Sequence, residues 1–502
     1  MLEGIPVLSL LILFPLFGAL LIFLFGRSQK MIRVLALIFS GIPLALVCLI
    51  FFDFQWGAAY SSPTETFAQL QFAESYSWIP SLGVSYTVGI DGISLPLLFI
   101  TPLLTFLSIL FSWNVDKRPK EYFGLMLVMQ VGITGVFILM DYLVFYIFWE
   151  IVLIPMYFLI GIWGGPNRAY AAIKFFIYTH VASLVMLLSI MALYFQAGAT
   201  TFNMIDLGHI APGFATGFQI IAFAAFLFGF GVKMPMVPFH TWLPDAHVEA
   251  PTAGSVLLAG LLLKMGGYGL IRIAIPTLPQ GAQFLAPVMA IIGVASILYA
   301  AVVCLAQKDL KKMVAYSSVS HMGFVMVGFA TLGEVGLLFG VFQMFAHGLV
   351  TAVLFMSCGV VQHHAGTRMI PSLGGISDKM PKLAALMTAG FLASLGLPGL
   401  VSFAAEFSIF YAIYNSWNLL FLIPILSVAI TAAYYLWALQ KSMFGPLTTK
   451  IETKDIHDAN WYESLPMGVL IALIALFGLF PMIMVSRMGD AISIILHGLG
   501  VP

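Results

Sequence analysis

The stretch from Ile5 to Phe25 carries no charged side chain, and runs of that kind recur along the whole chain with short polar breaks between them. Backbone groups inside such runs have no water to bond, so each run must satisfy its own N–H and C=O groups, which a helix does. About twenty apolar residues cross a bilayer. The chain is 61% hydrophobic and 8% charged, against about 25% charged in soluble domains. The expected fold class is therefore an all-α polytopic membrane protein. The pattern predicts about fourteen helices, at roughly 5–25, 34–52, 89–113, 122–140, 142–162, 170–196, 217–242, 254–275, 284–305, 313–332, 336–361, 382–407, 418–443 and 465–486. Arg27, Lys30 and Arg33 follow the first run, whereas a secretory leader carries its charge before it, so this run is expected to span.

The basic residues test that division. Arg27, Lys30 and Arg33 fall in the first loop, and Lys117, Arg118 and Lys120 in the third. Arg168 lies in the fifth, Lys308, Lys311 and Lys312 in the ninth. Arg368, Lys379 and Lys382 lie in or beside the eleventh, and Lys441, Lys450 and Lys454 in or beside the thirteenth. All are odd-numbered loops, hence one face, the cytoplasmic one by the positive-inside rule. Both termini should face the outer, positive side. The longest outer loop, 53–88, is rich in Ser, Thr, Gln and aromatics and is expected to form a small cap or contact surface.

Four lone charges sit inside apolar runs: Glu150, Lys233, Lys264 and Glu406. A charge at the centre of a membrane helix costs about 2.5–3.5 kcal/mol even on the lenient insertion scale, so four cost roughly 10 kcal/mol. Such groups normally face a bundle interior or a wet cavity and mark an ion path. Glu150 is the only charge of its span, and Lys233 is its expected partner. The plainer alternatives are a structural ion pair for these two and snorkelling for Lys233 and Lys264. Lys174 and Arg272 lie near span ends, where snorkelling accounts for them, and His180 beside Lys174 carries little weight.

Two of the four charges adjoin breaks. Pro235 and Pro238 follow Lys233, and Gly396, Pro398 and Gly399 precede Glu406. A proline in a span frees backbone carbonyls that protein or water must satisfy, a task Lys233 can share. His240 follows Lys233 by about two turns, on the same face if the helix runs on. The segments Lys233-Met-Pro235 and Gly396-Leu-Pro398 lie five helices apart, so the second is inverted in the membrane relative to the first. Interrupted segments at corresponding positions of two halves point to a transporter's ion path. His321 and His347 are the other polar groups at depth. A histidine's ordinary pKa near neutrality suits a relay, although each also fits as a satisfied structural residue. Tyr316, Ser317, Ser318 and Ser320 either carry a water chain or bond their own helix.

PFHTWLPDAHVEAPTAGSVLLAGLLLKMGGYGLIR at 238–272 and LKKMVAYSSVSHMGF at 310–324 resemble the antiporter-like subunits of respiratory complex I. GIDGISLPL at 89–97 and FYIFWEIVLIPMYFLIGIWGG at 145–165 fit the M-type members of that family in particular. The resemblance covers essentially the whole chain. It implies fourteen core helices, with two inverted five-helix repeats, helices 4–8 and 9–13, and broken helices 7 and 12. The corresponding divisions are an N-terminal three-helix segment 1–121, a first repeat 122–275, a second repeat 284–443 and a loop with a last helix, 444–502. It also implies roles in proton translocation for Glu150, Lys233, Lys264 and Glu406, with His240, His321 and His347 as relay candidates. Sister subunits usually have lysine where this chain has Glu406, which favours the M type. The long lateral helix and extra spans of the L type have no counterpart here.

Three functional readings follow. The first is a proton-translocating membrane-arm subunit, partnered by other antiporter-like subunits, lipid, protons and water, in an energy-transducing membrane. On that reading this chain holds no cofactor, and iron–sulfur clusters, a flavin where present, and quinone lie in partner subunits. Cys48, Cys304 and Cys358 are too scattered to ligate a cluster, which needs four close ligands. The second reading is a subunit of a multi-subunit cation/proton antiporter, and the third a non-pumping scaffold of the membrane arm. The formal charge is zero, which leaves no electrostatic case for nucleic acid.

Overall fold

A computed structural model describes residues 4–55, 70–448 and 456–500. Lys450 and Lys454 lie outside the described residues. The first six helices are α1 Val7–Phe25, α2 Gln29–Asp53, α3 Ser94–Phe111, α4 Pro119–Ile138, α5 Tyr142–Trp163 and α6 Arg168–Gln196. A discontinuous helix follows, α7a Thr216–Lys233 and α7b Trp242–Glu249. Next come α8 Thr252–Thr277, α9 Pro279–Leu305, α10 Leu310–Ala330 and α11 Glu334–Ala365. A second discontinuous helix, α12a Pro381–Ser394 and α12b Val401–Trp417, precedes α13 Leu422–Ser442, α14 Trp461–Leu479 and the short α15 Gly489–Gly498.

Thirteen described helices are long and apolar enough to cross a membrane when α12b and α13, joined by a 3-10 turn, are taken as one segment of 42 residues. The expected fourteenth is the second broken helix. Its first half has only 14 residues, too short to span alone at about 1.5 Å per residue. It crosses only together with α12b.

Helix starts follow from side chains that accept orphan N–H groups. Ser28 opens α2, Asp141 opens α5 and Asp309 opens α10. Asn460 and Glu463 form a reciprocal capping box at α14. The core is central: α8 and α11 are wholly buried over their most apolar stretch and α10 is 94% buried there, whereas α2 is 33% buried. α9 and α10 meet backbone to backbone, since a Cβ on Gly323 would stand 2.8 Å from the Gly293 carbonyl oxygen. Small residues at such contacts let membrane helices pack where no hydrophobic drive separates helix from lipid.

The outer loop holds an element the helical reading did not anticipate. β1 Gln71–Ile79 and β2 Val84–Ile90 form an antiparallel hairpin. β2 takes up the start of the span expected at 89–113, so α3 begins only at Ser94. The hairpin stitches helix ends together. Glu74 accepts from the N–H groups of Leu8 at 3.0 Å and Ser9 at 3.2 Å. Ser85 N–H donates to Asp141 Oδ2 at 2.9 Å.

Candidate functional site

The seventh and twelfth helices break at their middles, and both breaks are bonded internally. The Trp242 indole donates to the Val232 carbonyl at 3.0 Å, and Val237 N–H donates to Ser296 Oγ on α9 at 3.0 Å. Lys233 does not share this task. Its Nζ is buried, has no hydrogen-bond partner among the described residues, and stands 5.0 Å from the centroid of the Trp149 ring. Lys233 is the last residue of α7a, where the helix dipole favours a cation. In the second break, Gly396 has φ +79° and a Cβ there would lie 3.2 Å from Glu406 Oε2. A glycine in this left-handed conformation lets the carboxylate close over the break.

α8 backs onto the first break, since a Cβ on Gly266 would meet the Phe230 carbonyl at 2.5 Å. Lys264, at the centre of α8, is flanked by two π-helical turns, Leu258–Leu262 and Leu270–Ala274. Such turns concentrate at functional sites. The Lys264 ammonium donates to the Ala259 carbonyl in the first of them and lies 2.5 Å from His347 Nδ1.

From Lys264 a row of ionisable groups runs through the bundle core. The rings of His347 and His321 stand 5.6 Å apart, centroid to centroid. His347 Nε2 is buried without a hydrogen-bond partner among the described residues. His321 Nδ1 lies 2.9 Å from Glu406 Oε1, which also accepts from Gln343 Nε2 at 3.2 Å. His321 Nε2 meets Ser394 Oγ at 3.2 Å, and Ser394 and Ser317 link through the Tyr435 hydroxyl at 2.8 Å each. The structure thus joins Lys264, His347, His321 and Glu406, carried by α8, α11, α10 and α12b.

The other candidates stand differently. Glu150 and Lys233 make no ion pair within 4.0 Å among the described residues. The Glu150 carboxylate is taken by α6 instead, by His180 Nδ1 at 3.1 Å and by the Ser183 hydroxyl. His240 does not continue the face of Lys233, because the chain leaves the helix between them. It is 3% exposed, its ring 5.1 Å from that of Tyr299, and both ring nitrogens lack a hydrogen-bond partner among the described residues.

Two residues assigned to snorkelling are paired. Lys174 Nζ reaches Asp245 Oδ2 in α7b at 2.6 Å, and Arg272, 5% exposed, pairs with Asp91. Lys311 is no loop residue; it is buried in the first turn of α10 and donates to the Ala250 carbonyl at 2.6 Å. Ser317 and Ser318 bond back to Val314 in their own helix, and Ser320 bonds to the Ile297 carbonyl of α9.

Sequence reasoning missed several groups. His247 is fully buried, stacked 4.4 Å from Phe355, and among the described residues both its ring nitrogens lack a hydrogen-bond partner; its signal was its place in the same HTWLPDAH block. Gln343, Ser394 and Tyr435 gave none, because each meets the row across a large sequence separation. A cavity of about 630 Å³ opens on the face of the basic loops, between the ends of α3, α8, α11 and α14. Glu249, Lys311, Arg368 and Glu463 line it.

The family model described as NADH:quinone oxidoreductase/Mrp antiporter, TM, matches residues 140–431. F(420)H(2) dehydrogenase subunit M of Methanosarcina mazei is 44% identical over 508 aligned residues, 99% of this chain and 100% of that one. A chain of respiratory complex I from Thermus thermophilus with bound NADH matches with TM-score 0.86 at 30% identity, over 97% of this chain and 99% of that one. A chain of the Mrp complex from Dietzia sp. DQ12-45-1b matches with TM-score 0.86 at 22% identity, over 97% of each chain. That last likeness concerns fold alone. With more than half its length under one family model and near-complete coverage at 44% identity, this integral membrane chain belongs to the NADH:quinone oxidoreductase/Mrp antiporter transmembrane family.

Proposed function

We propose that this chain is a proton-translocating membrane-arm subunit of a complex I-type quinone oxidoreductase. The observation that carries the reading is the buried Lys264–His347–His321–Glu406 row. Iron–sulfur clusters, a flavin where present, and quinone belong on this reading to partner subunits, and the chain contributes to the enzyme as a translocase part. Residues 122–275 and 284–443 act as two inverted repeats, each with one broken helix. The termini face the outer side, and the basic loops face the compartment that supplies protons.

The geometry supports a stepwise transfer. A charged Lys264 gives a proton to His347 Nδ1 across their 2.5 Å contact. The imidazolium so formed releases a proton from Nε2, the nitrogen left unpartnered, toward His321. The 5.6 Å between ring centroids is bridged by ring rotation or one water. His321 then hands a proton to Glu406 Oε1. Glu150, Lys233 and Lys174 form the entry half of the path. The absence of a tight Glu150–Lys233 contact leaves Lys233 free to respond to the charge on either side. His240 stands in the break of the seventh helix, within the field of Lys174, and joins this half, whereas His247 on α7b lies in the field of Lys264 and Lys311. Each proton moved against 100 mV costs about 2.3 kcal/mol, which redox chemistry elsewhere in the complex supplies.

The test uses the whole complex in vesicles, with quinone reduction and proton uptake measured together. Lys264→Ala is expected to cut proton translocation at least tenfold while the complex still assembles; unchanged translocation refutes the role. The second reading, a subunit of a cation/proton antiporter, is favoured by the equal fold match to the Mrp chain. The 44% full-length identity to an oxidoreductase subunit M weighs against it. Copurification separates the two: iron–sulfur subunits accompany the chain on the first reading, and only antiporter subunits on the second.

A further inference from the structure

At the rim of the cavity on the basic-loop face stand three groups that the proton row does not use. His363 and His364 occupy the last turn of α11, and Glu463 the first turn of α14. His364 Nε2 lies 3.0 Å from Glu463 Oε2 and 3.3 Å from Oε1, and His363 Nδ1 lies 3.4 Å from Oε1. One ligand atom from each of the three falls within 4.8 Å of the others. Ligand atoms about 2.0–2.2 Å from a tetrahedral zinc stand roughly 3.3–3.6 Å apart. The spacing between Glu463 Oε1 and the two imidazoles is already close to that edge.

The carboxylate is held in place from behind. Glu463 Oε2 accepts from the Asn460 N–H at 2.8 Å and from Asn460 Nδ2 at 3.1 Å and also faces His364 Nε2 at 3.0 Å, while Oε1 lies 3.3 and 3.4 Å from the two imidazoles. Orientation of a ligating carboxylate by such outer bonds is the usual support of a metal site. The end of α11 adds the negative pole of a helix dipole. The cavity, lined by both His363 and Glu463, leaves room for a fourth ligand such as water. Two cations face the same space. Arg368 is neutralised by Asp309 at 2.7 Å, and the Lys311 ammonium is turned to the Ala250 carbonyl.

We infer that His363, His364 and Glu463 form a site for a borderline divalent transition-metal ion such as Zn²⁺, with the fourth coordination position open to the cavity. Two imidazoles and one carboxylate suit Zn²⁺ over Mg²⁺ or Ca²⁺, which prefer all-oxygen sets. An ion there stands at the mouth of the space whose inner wall carries Lys311. If that space admits protons to the row, a consequence that rests on the function proposed above, the ion slows their entry.

The purified complex, stripped with a chelator and then equilibrated with Zn²⁺, tests the site by direct metal analysis. Wild type is expected to retain one more zinc per complex than His364→Gln or His363→Gln, with affinity at least tenfold weaker in each variant. The His363 side chain is 62% exposed, so its replacement leaves the fold intact and keeps the test valid where His364→Gln perturbs packing. Cobalt substitution should add a visible d–d band in wild type that both variants lack. Equal zinc content and affinity in all three proteins overturn the site. Proton translocation is measured on the same samples. Zinc inhibition relieved at least tenfold in the variants supports both the site and the cavity as the uptake route. Zinc bound by wild type alone, with no effect on translocation, keeps the site and removes the uptake route.

Discussion

A buried carboxylate that accepts two hydrogen bonds is well placed to take a proton only if its donors can give one. Glu406 Oε1 lies 2.9 Å from His321 Nδ1 and accepts from Gln343 Nε2 at 3.2 Å, and of these two neighbours only an imidazole can carry a proton on to it. Glu406→Gln keeps an oxygen at the same place and so keeps both partners. It is expected to leave assembly intact and to lower proton translocation at least tenfold, read as the ratio of protons moved to quinone reduced. Wild-type coupling in this variant would remove Glu406 from the path. Glu150 and Lys233 give a second test at the same scale. Alanine at either position should largely abolish translocation in an assembled complex, and normal pumping in both would favour the scaffold reading. Lys264, His321, His347 and Glu406 were legible in the sequence because a polar group in an apolar run is an energetic anomaly wherever it is found. Their partners were not. Glu150 meets His180, thirty positions on, and Glu406 meets Gln343, sixty-three positions back. Only the folded arrangement of helices decides which lone charge meets which: Lys233 lies in the field of Glu150 without an ion pair to it among the described residues.

At the scale of elements, the breaks were legible and their internal bonding was not. Prolines at 235 and 238 and the Gly-Leu-Pro-Gly run at 396–399 announce where α7 and α12 stop. The groups that satisfy the first break, the Trp242 indole and Ser296, are ordinary side chains with no local signature. The β1–β2 hairpin was hidden for a similar reason. Its strands read as a polar, aromatic loop, and an isolated hairpin is stabilised by what it packs against, here the starts of α1 and α5. Gly396 is the residue at which element and site meet. With φ at +79° and Glu406 Oε2 at 3.2 Å from a notional Cβ, Gly396→Ala places a side chain in a disfavoured conformation at a cost of about 1–2 kcal/mol and crowds the carboxylate. Its expected signature is a lower thermal-unfolding midpoint of the solubilised complex, accompanied by weaker coupling. Gly468→Ala, inside α14 at a glycine with open space around it, serves as the control and should lower neither, since alanine is the better helix former there.

For the molecule as a whole, the outer surface of α5 and α6 carries the next consequence. The side chains of Glu150 and His180 are 23% and 38% exposed, and they sit well inside their helices. Ile154, Phe158, Ile173 and Ile177 stand exposed around them. An apolar face alone would suit lipid, but a charge facing hydrocarbon costs about 2.5–3.5 kcal/mol even on the lenient scale. A carboxylate and an imidazole at this depth therefore call for a protein cover that supplies polar groups of its own, which on the function proposed above a neighbouring membrane-arm subunit would provide. The sequence alone exposed the charge but not the face, since burial depends on which helices close around α5. Ile177→Cys offers a direct reading, because Ile177 is 53% exposed and one turn from His180. In the intact complex a membrane-permeant maleimide should label this cysteine at least fivefold more slowly than in the chain separated from its neighbours by mild detergent. Cysteine at Ile291, 68% exposed on α9, should react at similar rates in both if α9 faces lipid. Equal labelling of Ile177→Cys in the two states would mean that the Glu150 face meets lipid, and would take away the entry half of the proton path.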